Sequence, residues 1–103
     1  MKNIHKLMKQ AQEMQSKIVR LQEEMGDHRE EATAGGGVVK AVATGKGELV
    51  DLAIDPEVAR PEEVEMLQDL VMAAANEALR KARAALEEEM KKATGGMGLP
   101  GMM

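Results

Sequence analysis

Between its first residues and Met25 the chain places apolar side chains at Ile4, Leu7, Ala11, Met14, Ile18, Leu21 and Met25, alternating steps of three and four without a break. Three heptads spaced in this way form a narrow seam on one helix, whereas an ordinary surface helix shows a broader stripe that drifts around the axis. A narrow seam specifies another helix lying nearly alongside. The spacing therefore predicts an N-terminal helix that dimerises through those residues and ends at Gly26 and Asp27. Length supports a partner as well, because a chain of 103 residues leaves a large share of its apolar surface in water unless something covers it.

The period changes after residue 35. Gly35, Gly36 and Gly37 precede a Val38 to Thr44 run, Gly45, Lys46 and Gly47 make a turn, and Glu48 to Asp55 follows, which predicts a β-hairpin. In the second run Val50, Leu52 and Ile54 share one face and Asp51 and Asp55 the other, the pattern of a half-buried strand. The first run is apolar on both faces except at Lys40. Arg29 to Ala34 alternates poorly, and pattern alone does not make it a strand.

Asp55-Pro56 turns the chain, and Pro61 with Glu62 and Glu63 starts a second helix, although Arg60 is a poor cap. From Val64 to about Lys92 the chain is helical and rich in alanine, with Leu67, Val71, Ala74, Ala78, Ala82 and Ala85 on one stripe whose small residues permit close approach. The tail GGMGLPGMM cannot continue that helix. The expected organisation is one domain over residues 1–94 and a flexible Gly/Met-rich tail over residues 95–103.

Several classes of chemistry lack their residues. Cysteine is absent, which removes disulfides, thiolate metal sites and thiol catalysis and is compatible with a reducing cytoplasm. His5 and His28 are a helix apart and have no nucleophile or second ligand at a useful spacing. The acids at Asp51, Asp55, Glu57, Glu62, Glu63 and Glu65 do not follow a calcium loop. A phosphate loop fails too, because its Gly-Lys pair needs a glycine before it with four residues between and Ser or Thr after it, and Lys40 and Gly47 stand there. Ten methionines allow soft-metal binding in principle, but Met14, Met25, Met66, Met72 and Met90 fall on helices where packing explains them. The expectation is no metal, no cofactor, no small-molecule substrate and no enzyme activity. No apolar run is long enough for a signal peptide or a membrane span, so a soluble, unexported protein without a membrane partner is expected.

Charge is unevenly distributed. The whole chain carries 14 Lys and Arg against 18 Asp and Glu, a net charge of -4, yet residues 1–20 hold Lys2, Lys6, Lys9, Lys17 and Arg20 against Glu13 alone. Residues 23–31 reverse this, with Glu23, Glu24, Asp27, Glu30 and Glu31 against Arg29. On the heptad frame Lys2, Lys6, Lys9 and Arg20 lie opposite the apolar seam. Arg80, Lys81 and Arg83 cluster on the second helix, with Lys91 and Lys92 beyond the acids Glu87, Glu88 and Glu89. Taken alone, such residues are ordinary solvated charges or complements to a helix dipole.

The heptad helix, the segment GGGVVKAVATGKGELVDLAID, the segment EMLQDLVMAAANEA and the terminal GGMGLPGM together closely resemble the YbaB/EbfC family, across essentially the whole chain. The wording departs modestly at Gln68 and Glu77, where acids of that family commonly read Glu or Asp and Asp. The resemblance implies an α+β fold of a long N-terminal helix, a three-stranded antiparallel sheet and a long C-terminal helix, dimerised into a tweezer-like body. It implies a first strand at about residues 28 to 35 and a tail outside the fold. It also implies a cytoplasmic, nucleoid-associated bacterial protein that binds duplex DNA without tight sequence choice.

On that basis Lys2, Lys6, Lys9, Lys17, Arg20, Arg80, Lys81 and Arg83 are the candidate DNA-binding residues. Ile4, Leu7, Ala11, Met14, Ile18, Leu21 and Met25 are the candidate dimerisation residues. No Phe, Tyr or Trp is present to stack on unpaired bases, which leaves contact with the duplex backbone. A rival reading is a coiled-coil adaptor that recruits a replication or recombination protein through its acidic surfaces and a tail carrying Met97, Leu99, Met102 and Met103.

Overall fold

A computed structural model describes residues 2–93 and residue 95. Helix α1 (Lys2–Met25) is followed by strands β1 (Arg29–Ala34), β2 (Val39–Thr44) and β3 (Leu49–Ile54), and helix α2 (Val64–Ala93) completes the order. The strands form one antiparallel sheet with β2 in the middle. Both helices and the hairpin fall where the apolar periods place them. The predicted tail, beyond Gly95, lies outside the described residues.

β1 exists although its pattern conceals it. Glu30, Ala32 and Ala34 point towards α2, and Arg29, Glu31 and Thr33 stay exposed. The strand does alternate, but its inward side offers only a glutamate and two alanines. It turns into β2 through Gly35, Gly36 and Gly37, whose φ angles of 65°, 74° and 100° suit a residue without a Cβ. The β2–β3 turn closes with Gly47 N donating to Thr44 O at 2.9 Å and Thr44 N to Glu48 O at 2.9 Å.

One feature of the hairpin corrects the sequence expectation. The register pairs Val42 with Asp51 and Ala43 with Leu49, so Val50 is an extra residue in β3. Such a bulge shifts the alternation by one position. Leu49, Leu52 and Ile54, rather than Val50, Leu52 and Ile54, therefore stand opposite Ala43, Ala41 and Val39.

The core lies between α2 and the first two strands. Ala74, Ala78 and Ala82 are fully buried against Val39, Ala41 and Ala43, with Ala32 beside them. Leu67, Leu70, Val71 and Leu79 pack around this centre. Alanine on both sides lets helix and sheet approach closely, as the small-residue stripe predicts. Ahead of α2, Asp55 accepts a bond from Glu57 N at 2.9 Å, and Arg60 pairs with Glu63 at 2.9 Å in place of a side-chain cap.

α1 is held along its inner half, against α2 and at the β2–β3 turn. Gly45 N donates to Met25 O at 3.0 Å, and a Cβ on Gly45 would lie 2.4 Å from that same oxygen. Only glycine permits this approach. Met25 is buried there, Leu21, Ile18 and Met14 are half-buried, and Leu7 and Ile4 are open. The molecule measures 71 × 26 × 16 Å with a radius of gyration of 19.5 Å, against about 13 Å for a compact chain of this length. α2 alone spans about 45 Å, so α1 extends the molecule as an arm.

Candidate nucleic-acid interface

The arm carries most of the candidate cations, and its helical geometry sets their direction. With the seam turned one way, Lys6, Lys9 and Arg20 project from the other side, and Lys17 stands at its margin. Lys9, Lys17 and Arg20 border one shallow hollow together with Gln12, Glu13 and Ser16. Lys6, Lys9, Lys17 and Arg20 are all exposed, and none has an ion-pair partner among the described residues. Lys2 begins the helix one turn before Lys6. Lys6, Lys9, Lys17 and Arg20 thus form a row of positive charge, unpaired among the described residues and interrupted by Glu13.

At the base of the arm the sign changes. Glu23 and Glu24 close α1, Asp27 follows, and Glu30 and Glu31 lie on β1. His28 Nε2 lies 2.6 Å from Glu30 Oε2. This acidic collar separates the cationic arm from the body.

The α2 cations, which sequence grouped as a strip, are not equivalent. Arg80 is engaged by Glu77 through both its Nε, at 3.1 Å, and its Nη2. The hydrogen bond from Arg80 holds the Glu77 carboxyl below the usual carboxylate range, and the same bond raises Arg80 further. Lys81 Nζ donates to the backbone carbonyl of Glu31 at 2.6 Å, which ties α2 to β1. Lys92 faces Glu89 at 3.5 Å. Arg83, exposed on α2, has no such partner among the described residues. Sequence did not single out Lys46, which is exposed on the β2–β3 turn and lies over Gly26 at the end of the arm. Its Gly-Lys-Gly setting marked a turn, and only the folding of that turn against α1 brings the charge there.

The candidate dimerisation seam is divided. Its inner residues, Ile18, Leu21 and Met25, are partly or fully covered within the chain, whereas Ile4 is 52% and Leu7 62% exposed. A second apolar surface appears on β3, where sequence predicts a half-buried strand. Every β3 residue is exposed, because α2 lies over β1 and β2 and leaves the third strand uncovered. Ile54 adjoins Val64, Leu67, Val71 and Met72 in an open, mostly apolar groove.

The two sheet edges differ correspondingly. β1 bears Arg29, Glu30 and Glu31, whereas β3 offers Leu49, Val50, Leu52 and Ile54 with Asp51 as its sole charge. Charged residues on an edge discourage further pairing, and an apolar edge invites it. Among the described residues no group of three His, Asp or Glu side chains could hold a metal, and no helix is long and apolar enough to cross a membrane.

Comparison with known proteins gives a consistent result. The model of the YbaB/EbfC DNA-binding family matches residues 1–97. The chain is 52% identical over 100 residues to a nucleoid-associated protein of Pelotomaculum thermopropionicum, covering 97% of this chain and 95% of that one. It is 54% identical over 101 residues to a nucleoid-associated protein of Moorella thermoacetica, covering 98% and 97%. Its fold is similar to the crystal structure of an uncharacterized protein from Helicobacter pylori, with a TM-score of 0.65, 32% identity, and coverage of 85% of this chain and 98% of that chain.

Proposed function

Because this chain belongs to the YbaB/EbfC DNA-binding family, we propose that it acts in the bacterial nucleoid as a non-enzymatic homodimer that grips duplex DNA largely without regard to sequence. The observation that carries the reading is the unpaired cationic row on an arm standing clear of the acidic body. Phosphates attract such a row whatever the bases are, through release of condensed counterions. Lys2, Lys6, Lys9, Lys17 and Arg20 are the leading contacts, with Arg83 next. Arg80 and Lys81 contribute only after giving up the partners they hold.

The dimer supplies the second half of the grip. We assign its interface to the β3 edge of the α2-facing side of the sheet, which the helix leaves uncovered and where Leu49, Leu52 and Ile54 join the α2 flank of Val64, Leu67 and Met72. A second copy is the natural occupant, because the surface is a long apolar edge that needs a strand or helix of matching character. Two arms on one body then bind with the effective concentration that a single arm lacks.

A mobility-shift series on unrelated duplexes at increasing salt tests the binding. Engagement of all five arm cations from both protomers gives a log-log slope of about -9, and fewer contacts give a proportionately shallower line. Failure to bind any duplex at low salt overturns the reading. In parallel, Leu52→Asp is expected to convert the sedimenting species from dimer to monomer and to weaken binding. A variant that remains dimeric removes β3 from the interface.

A further inference from the structure

We propose that the outer half of the α1 seam, formed by Ile4, Leu7, Ala11 and Met14, is a second self-association surface on which the arms of two different dimers pair antiparallel, linking dimers along or between duplexes. The inference rests on the dimeric, DNA-bound reading above. Its starting point is the division of one continuous stripe. The inner residues are covered by the chain's own fold and β3 serves the dimer, so Ile4, Leu7 and Ala11 are left exposed on a projecting arm, with Met14 half-buried at the boundary.

Three features identify a second copy of this helix as the occupant. The stripe is single-file at steps of three and four, which fits one helix alongside and is too narrow for a broad apolar surface. The positions bordering it are Asn3, Met8, Gln10 and Gln15, all uncharged, and Lys17 at the margin beyond Met14 falls towards the partner's Asn3 in an antiparallel pair, so no like charges meet. The cations Lys6, Lys9 and Arg20 lie away from the seam and stay available for phosphate when the arms pair.

Orientation follows from size and charge. In an antiparallel pair Leu7 lies opposite the partner's Ala11 and Ile4 opposite the partner's Met14, so each small residue meets a large one. A parallel pair sets two Ala11 methyl groups face to face, which leaves a void, and crowds the cationic tips together. Antiparallel alignment also opposes the helix dipoles. The seam from Ile4 to Met14 is about 15 Å long, too short to hold two free arms together in dilute solution. Dimers seated on the same DNA supply the missing local concentration.

The absence of cysteine makes the test clean. A Gln10→Cys variant places one thiol at the centre of the antiparallel contact, and a short bismaleimide then links paired arms. Ser16→Cys, on the opposite side of α1, is the control. The expected result is a two-chain product with Gln10→Cys that increases with protein concentration, increases further on long duplex DNA and is absent with Ser16→Cys. Adding Leu7→Asn is expected to abolish the product while binding of single dimers to a short duplex stays unchanged. A yield no greater than the control, or one that does not change with concentration because the arms pair within a dimer, overturns the proposal. The concentrated arm without DNA keeps this outcome separate from a failure to bind DNA, which the mobility shift reports independently.

Discussion

Where α2 crosses β1 and β2 the contact is made by Ala74, Ala78, Ala82, Ala41 and Ala43, all fully buried, whereas Ile4, Leu7 and Met8 along the outer arm are more than half exposed. Burying a large aliphatic side chain stabilises a fold by about 1.5–3 kcal/mol. A chain that folds only to satisfy itself buries such residues first. Here intramolecular folding uses small residues to bring helix and sheet close together, and leaves many of the large ones exposed on the arm and on β3. The body is a scaffold, and under the proposed function the surfaces that work are those a single chain does not close.

The largest expected effect comes from disturbing the scaffold. Ala78→Leu adds bulk at a fully buried point between α2 and the sheet, where overpacking costs about 1–3 kcal/mol. A circular dichroism melt should show Tm lower by about 5–20 °C, and an unchanged Tm shows that the close contact is not what holds the body together. On the arm the same amount of change should leave the melt alone. Replacing Lys2, Lys6 and Lys9 by Glu is expected to reduce duplex affinity by about tenfold or more at low salt and to flatten the salt slope. Full retention of affinity with an intact fold removes this row from the interface and breaks the division of labour.

The smallest effect is expected on α2. Glu77→Gln releases Arg80 from its ion pair and should raise duplex affinity slightly, by about twofold, in a titration near neutral pH. Acid should act in the same direction on the unmodified protein. The Glu77 carboxyl is held below its ordinary range by Arg80, so the pair is intact above that range and is lost only as pH falls through the lowered value. A variant with lower affinity shows that Glu77 positions Arg80 for phosphate.

What sequence reveals and what it conceals follows the same division. The arm, its end at Gly26, the hairpin and the alanine stripe of α2 all depend on local periodicity, and each is visible in the chain. β1 is visible only through family resemblance, because its inward positions are Glu30, Ala32 and Ala34 and carry little apolar contrast. The exposure of β3 depends on how far α2 reaches across the sheet, and no local pattern encodes that distance. The bulge at Val50 is hidden for a similar reason, since only the pairing with β2 shows which residue is extra.

The candidate interface is legible to a similar extent. Which residues are cationic, and which side of α1 they occupy, can be read directly from the heptad frame. The Glu77–Arg80 pair is three residues apart and follows the ordinary neighbour rule for helices. Lys81 reaches Glu31 across 50 positions of sequence, and only the packing of α2 beside β1 joins them. The division of the seam depends in turn on where α2 lies against α1 and where the β2–β3 turn folds back onto Met25.

The close approach of Gly45 to Met25 has a mechanical consequence. A helix of 24 residues is about 36 Å long; this contact fixes its end, and α2 and the body cover its seam back to Met14, so only the outer half projects freely. A bend of about 10° where the covered half ends would carry the far tip through about 3 Å, enough to follow a surface that widens or narrows while the sheet stays still. Stiffness along the rod and compliance where it leaves the body would let one rigid scaffold meet surfaces of different local shape.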